Sequence, residues 1–310
     1  MVRLSLIWAL LLMLSTLTVA QESIDLITIS GRYGVPRPYK SQYPGKATET
    51  ALLVNIKAPI PLNKAKTSLW YNNFTYTQAS VNNDETMPAD IVNPISIHGF
   101  ILQTGFMKRF DNGTGFQLLF APRFMTDFND INSKNWQFGG VALFEKKYNE
   151  KLLIRFGLLY NQELFGPILT PLVDLDWRIS NRWSIVGLVP IYAKVNYHAN
   201  ENLTMGLSHF GLTTTYRLGN PAYLNDYIER TSIDLALFLR QRIAGNVHIE
   251  ARFGHTLNRK YAQYAEDEKL DFRLVIINFG DDRVQKNENF KDGVIANIRL
   301  VYNLPLKDLN

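Results

Sequence analysis

The chain of 310 residues contains no cysteine. That excludes a disulfide framework, a Cys-ligated metal site and a lipid-anchoring cysteine behind a leader. It is also unlike secreted eukaryotic domains, where disulfides are common, and it suits a Gram-negative envelope. Long apolar runs are scarce as well. Beyond the first twenty residues no stretch approaches the ~18 consecutive apolar residues that mark a membrane-crossing helix. Motifs with a built-in mechanism are missing: no His-Glu-x-x-His, no Gly-x-Ser-x-Gly, no phosphate-binding glycine loop and no dinucleotide fingerprint. Nor is there a heptad run, a low-complexity tract or an internal repeat. Lys and Arg total 33 against 28 acids, a net charge of +5. These charges are spread evenly, so neither the balance nor its distribution has the footprint of a nucleic-acid binder.

What is present begins with a leader. Arg3 supplies a positive start, Leu4 to Leu14 is almost entirely apolar, and Thr18-Val19-Ala20 fits a small-residue cleavage site before the polar Gln21-Glu22. The reading is a signal peptide over 1–20, removed to leave about 290 residues. An uncleaved anchor is disfavoured because the apolar core is shorter than the ~20 residues of a span.

Behind the leader, period-2 alternation recurs from about residue 48 to 304. In Val247 to Leu257, the positions Val247, Ile249, Ala251, Phe253 and Leu257 are apolar, while His248, Glu250, Arg252, Gly254 and Thr256 interleave. Successive side chains of a strand point to opposite sides, so one face is apolar and the other charged. The same split appears in Leu152–Tyr160 against Arg155, Gly157 and Asn161. It recurs in Leu169, Val173, Leu175 and Trp177 against Thr170, Asp174, Asp176 and Arg178. Ile233 to Leu239 oppose Asp234, Arg240 and Arg242, and Val294 to Leu304 oppose Asn297, Arg299 and Asn303.

Turn chemistry bounds the segments. Asn63-Lys64-Ala65-Lys66, Asp111-Asn112-Gly113, Asn149-Glu150, Ser180-Asn181 and residues 244–246 form tight turns. Polar loops at 81–95, 128–135, 219–230, 258–269 and 280–292 alternate with them. Short turns at one end and long loops at the other are the habit of outer-membrane barrels. Aromatics at 12%, with 15 Tyr and 18 Phe, suit interfacial girdles.

The expectation is an all-β protein, a transmembrane antiparallel up-and-down barrel of about 12 strands (range 10–14) over residues 47–310. Residues 21–46 read as an irregular N-terminal segment, with Asp25 to Arg32 a candidate extra strand. Residues 183–197 and 270–279 each read as one strand, and the count is least certain between 190 and 231.

The inward candidates are Arg155, Asp174, Asp176, Arg178, Asp234, Arg240, Arg242, Glu250, Arg252 and Arg299. They admit two readings: rings of charge in a water-filled passage biased toward anions, or ion pairs filling a closed lumen. Both stay open. His248 and Glu250 share a face at i, i+2, where an interior hydrogen bond outweighs a metal site. A lipid hydrolase would need a Ser and a His on one side of the barrel, oriented by a third polar group. Ser208-His209, being adjacent, point to opposite sides. No catalytic residue, metal or cofactor is expected. The expected partners are outer-membrane lipid and small solutes or ions.

Thr215-Tyr216-Arg217-Leu218, Arg259-Lys260-Tyr261, Phe279-Gly280-Asp281-Asp282-Arg283 and Arg299-Leu300-Val301-Tyr302 resemble patterns of an uncharacterised family of outer-membrane β-barrel proteins found in Bacteroidota. The resemblance implies the barrel fold and location and carries no catalytic residues. It departs from the common barrel pattern at the end, where Pro305 to Asn310 run on past Tyr302.

Overall fold

The computed structural model describes residues 23–40, 43–223 and 226–305; the expected leader, 1–20, lies outside them. Its strands are β1 (Ser23–Pro38), β2 (Lys46–Pro61), β3 (Ser68–Asn83), β4 (Ile95–Arg109), β5 (Thr114–Phe120), β6 (Arg123–Thr126), β7 (Trp136–Gln137), β8 (Gly139–Asn149) and β9 (Leu152–Glu163). There follow β10 (Gly166–Arg178), β11 (Trp183–Val189), β12 (Tyr192–His198), β13 (Leu203–Arg217), β14 (Tyr227–Ala244), β15 (Val247–Tyr264), β16 (Phe272–Leu274), β17 (Ile277–Phe279) and β18 (Gly293–Pro305). Among the described residues no helix is long and apolar enough to cross a membrane.

Fourteen of these strands close an antiparallel barrel, while β6, β7, β16 and β17 stand outside the ring. Closure falls between β1 and β18, from Ser23 opposite Pro305 to Gly34 opposite Ile295. The segment 21–46, read as irregular, therefore supplies a ring strand. Its glycines and prolines mask alternation that the pairing with β2 and β18 restores. The ring has two strands more than the expected 12: β1 adds one, and residues 183–197, a hairpin in place of a single strand, add the other. The chain reverses at Pro190-Ile191, where Ile191 N donates to Leu188 O at 2.8 Å. Residues 270–279 likewise form a small hairpin, β16–β17, and not a ring strand.

Tight turns and both described chain ends gather at one end of the barrel, the turn end. At Asp111-Asn112-Gly113 the turn needs Gly113 at φ +73°, a left-handed conformation that glycine adopts without Cβ strain. The long connections lie at the opposite loop end, with two short exceptions at Leu164-Phe165 and Pro190-Ile191.

The outer face is apolar. Every ring strand but β12 exposes large apolar side chains outward, among them Ile29, Leu52, Phe74, Leu118, Phe156, Leu237, Phe253 and Ile298. Trp70, Trp177 and Trp183 sit outward near the turn end. Trp136 sits near the other end, stacked on Phe138 with ring centroids 6.5 Å apart. A soluble ligand-binding barrel has the reverse arrangement, with its apolar face inside.

The loop-end half is built differently. The β11–β12 hairpin stops partway up, leaving β10 and β13 without their neighbours beyond Val173 and Phe210. β16 fills part of this window by parallel pairing of Ile168 with Arg273 and Leu169 with Leu274. Side chains satisfy the free edge of β13: Thr215 N donates to Glu163 at 2.9 Å, and Gln137 Nε2 donates to Thr215 O at 3.0 Å. This is the accounting that buried backbone groups demand.

Beyond that level the ends of β13, β14 and β15 leave the wall and fold across the interior. Thr214–Arg217, Tyr227–Ser232 and Tyr261–Tyr264 are buried at every position. Both faces are therefore covered, whereas a wall strand would leave its outward face exposed. A register shift between Thr231 and Ile233 marks the bend. Tyr216, Leu218, Ile228 and Tyr261 pack against Ala47, Ala79, Val81 and Ile97 of the facing wall and against Met125 of β6. The loop-end half of the barrel is packed shut.

Candidate functional site

The remaining interior, in the turn-end half, carries the charges. Residues paired directly across neighbouring strands share a face, so the register assigns each side chain. Arg155 of β9 lies opposite both Glu145 of β8 and Asp174 of β10. Its Nε donates to Glu145 at 2.7 Å and its Nη1 to Asp174 at 2.6 Å, while Arg109 reaches the other Glu145 oxygen at 2.6 Å. Asp176 and Arg178 follow on the same face of β10 toward the turn end.

The opposite wall centres on Glu250, whose side chain has 0% exposure. Lys194 of β12 donates to it at 2.8 Å, Arg252 at 2.6 Å and Arg299 of β18 at 2.7 Å, with Arg240 of β14 at 4.0 Å. Arg240 also donates to Asp25 of β1 at 2.6 Å, and Asn303 donates to the same oxygen at 2.7 Å. Arg242 lies near the turn-end rim, exposed, opposite His248. These strands pair side by side, so one arc of wall holds the whole cluster. Its arginines and Lys194 stay 15–18% exposed and are not fully packed.

Higher up, Asp234 accepts from Arg32 at 3.1 Å and from Thr256 at 2.8 Å. Arg32 reaches on to Glu49, which sits under the folded-in strands with 0% exposure and also accepts from Tyr261 at 2.6 Å. Arg259 and Arg230 lie 3.3 and 3.7 Å from the same carboxylate. One buried carboxylate thus ties β1, β14 and β15 to β2. On the far side of the folded-in strands, Glu229 binds Arg273 at 3.0 Å and Arg283 at 2.8 Å, anchoring the loop that carries β16 and β17. In that loop the guanidinium of Arg283 donates to Asp281 and holds its carboxyl down to about 2.

Sequence reasoning missed Asp25, Arg32, Glu49, Lys57, Arg109, Glu145 and Lys194. Glu49 and Lys57 break the apolar run of β2 at inward positions, a signal that was legible. Asp25 and Arg32 bound a segment read only as a candidate strand, and no face was assigned to it.

His248 Nδ1 donates to Asn246 O at 3.2 Å, while Glu250 is occupied by four cations. Among the described residues no group of three His, Asp or Glu could hold a metal. Ser208 and His209 point apart, Ser208 to Ala236 O and His209 outward to Pro190 O. A different serine and histidine do meet. Ser184 Oγ lies 3.1 Å from His198 Nε2, and His198 Nδ1 lies 3.1 Å from Thr204 Oγ1. The third member is a neutral hydroxyl, which cannot stabilise an imidazolium as a triad carboxylate does. The arrangement is a polar rung across β11, β12 and β13.

No curated protein matches the chain. Among solved structures, it is similar to the COG4313 outer membrane channel from Pseudomonas putida F1, with 11% identity, TM-score 0.43, and 93% of this chain and 98% of that one covered. It is also similar to the NanC porin (11% identity, TM-score 0.36, covering 89% and 98%) and to the TodX monoaromatic hydrocarbon channel (11%, 0.36, covering 90% and 89%). At this level of likeness none of them assigns a solute to this chain. A family model does match, over residues 17–303, and by it the chain belongs to the family described as a domain of unknown function, DUF6268.

Proposed function

We propose that the chain is an integral barrel of a Gram-negative outer membrane, exported by its leader, and acts there as a passive channel for small solutes. The turn end faces the periplasm and the loop end the outside, as loop lengths in such barrels dictate. The apolar outer face and its rim tryptophans support membrane residence. One observation carries the channel reading: the turn-end interior is lined by charged side chains that remain partly exposed. A lumen built only to be filled would bury them. The packed loop-end half is then the closed part of the path, and opening requires the folded-in ends of β13–β15 to shift.

Swelling of proteoliposomes in small sugars and amino acids tests this. Solute-dependent swelling above that of empty liposomes supports the channel. Its absence with heat-modifiable, folded barrel in the bilayer overturns it. The second reading, a structural or surface-interaction barrel without transport, is favoured by the packed loop end. Among the described residues, neither the inward Ser184–His198 contact nor the outward Ser96–His98 contact has a carboxylate to orient its imidazole, so catalysis finds no support there.

A further inference from the structure

We infer that the turn-end half of the lumen holds a binding site for small multivalent anions, of the carboxylate or phosphate class, on the arc of wall from β12 to β2. This rests on the barrel and its inward faces, and it names the solute class of the proposed channel.

Charge is divided unequally between the two halves of the ring. On the arc of β3, β4, β5, β8, β9, β10 and β11, Arg109, Lys147, Arg155 and Arg178 share a face with Glu145, Asp174 and Asp176, and Lys147 pairs at 2.8 Å with Glu150 of the adjoining turn. Four cations meet four carboxylates there. On the arc of β12, β13, β14, β15, β18, β1 and β2, at the level of Glu250, Lys57, Lys194, Arg240, Arg252 and Arg299 share a face with only Asp25 and Glu250. Five cations meet two carboxylates. Each carboxylate is already shared: Glu250 among Lys194, Arg252, Arg299 and Arg240, and Asp25 between Arg240 and Asn303.

Lys57 forms no hydrogen bond or ion pair with any described residue, although it lies half-buried on the inward face opposite Asn73. It is within electrostatic reach of Asp25, Arg299 and Asp174. An ammonium in a narrow, partly desolvated lumen attracts a counter-ion strongly, because the effective dielectric there is far below that of water. Beside it, Arg299 joins Lys194, Arg240 and Arg252 around Glu250, and the guanidinium forks match carboxylate and phosphate oxygens. A dication or a neutral sugar finds no comparable set of acceptors. The packed loop end leaves the site approachable from the turn end, so the anion binds whether or not the channel is open.

The test is equilibrium binding by the folded, detergent-solubilised full barrel, using citrate and inorganic phosphate as probes at low ionic strength, with calcium as control. Calorimetry should show saturable binding, tighter for citrate than for phosphate, weakened by added sodium chloride, and absent for calcium. Lys57→Gln should weaken citrate about tenfold, and Lys57→Glu should abolish binding. Neither variant breaks an ion pair, so urea unfolding should stay at the wild-type midpoint, and Lys57→Arg should restore affinity. Citrate binding unchanged in Lys57→Glu, or no binding of either anion to folded wild type, overturns the site. The outcome is separable from that of the channel. Anion binding without solute flux keeps the site and sinks the channel, whereas flux without anion binding does the reverse.

Discussion

Glu49→Gln is the most informative single change in the barrel. The substitution keeps shape and removes one negative charge from a carboxylate with 0% exposure that faces Arg32, Arg230 and Arg259 and accepts from Tyr261 at 2.6 Å. Breaking a buried ion pair on one side costs about 3–5 kcal/mol, mostly because the partner charge is stranded. Two arginines keep other acceptors here. Arg32 still donates to Asp234 at 3.1 Å and Thr256 at 2.8 Å, and Arg259 to Lys291 O at 2.6 Å. The cost should therefore lie near the low end, about 3 kcal/mol. It should be local, because this carboxylate joins the folded-in ends of β14 and β15 to the wall at β1 and β2. Urea unfolding of barrel refolded in lipid vesicles gives the magnitude, and hydrogen exchange gives the place. Protection should fall at Thr214–Arg217, Tyr227–Ser232 and Tyr261–Tyr264 while Leu235–Arg240 stays protected. A change under about 0.5 kcal/mol, typical of an unimportant surface site, with unchanged protection would refute the idea that Glu49 holds the loop end shut.

Three further outcomes follow from the same structure. Ile154→Arg and Leu237→Arg place charge on the outward face and should each cost ~2–4 kcal/mol in vesicle refolding, against a milder loss for Asn297→Arg inside; equal losses would mean the faces are misassigned. Because Arg283 holds the Asp281 carboxyl down to about 2 from 3.8, its contribution is fully present above pH 3.8 and lost as pH falls through about 2. Proteolysis of the 265–292 loop by an acid-tolerant protease should accelerate across that window, and Asp281→Asn should be cleaved as fast at pH 4 as wild type at pH 2; equal rates for the two proteins at pH 4 would contradict this. In a chain without cysteine, Leu169→Cys with Leu274→Cys should crosslink through a short bis-thiol reagent as efficiently as Val173→Cys with Val189→Cys, since both pairs are in register; linkage of the second pair alone would mean β16 does not pair with β10.

The wall was legible because alternate residues of a strand face opposite sides, apolar outward and polar inward, as in Leu235–Arg240 and Ile298–Arg299. The strand count was harder. Gly187 to Ile191 offers no usual turn pair, so the β11–β12 reversal reads as continuous strand, and Leu270–Phe279 has strand composition although Val275 turns the chain at φ +57°. The packed loop end was invisible for a different reason. Its chemistry is non-local: Glu49 meets Tyr261 across 212 positions and Arg259 across 210. Period-2 patterning reports which face a residue occupies, but not that a strand leaves the wall.

Single-channel recording of the purified barrel in planar bilayers tests the central claim most directly. The account predicts brief ohmic steps in wild type, more frequent in Glu49→Gln, with a reversal potential on the anion side that moves toward cations in Arg252→Glu. Silent bilayers for both wild type and Glu49→Gln, with folded protein demonstrably inserted, would contradict it.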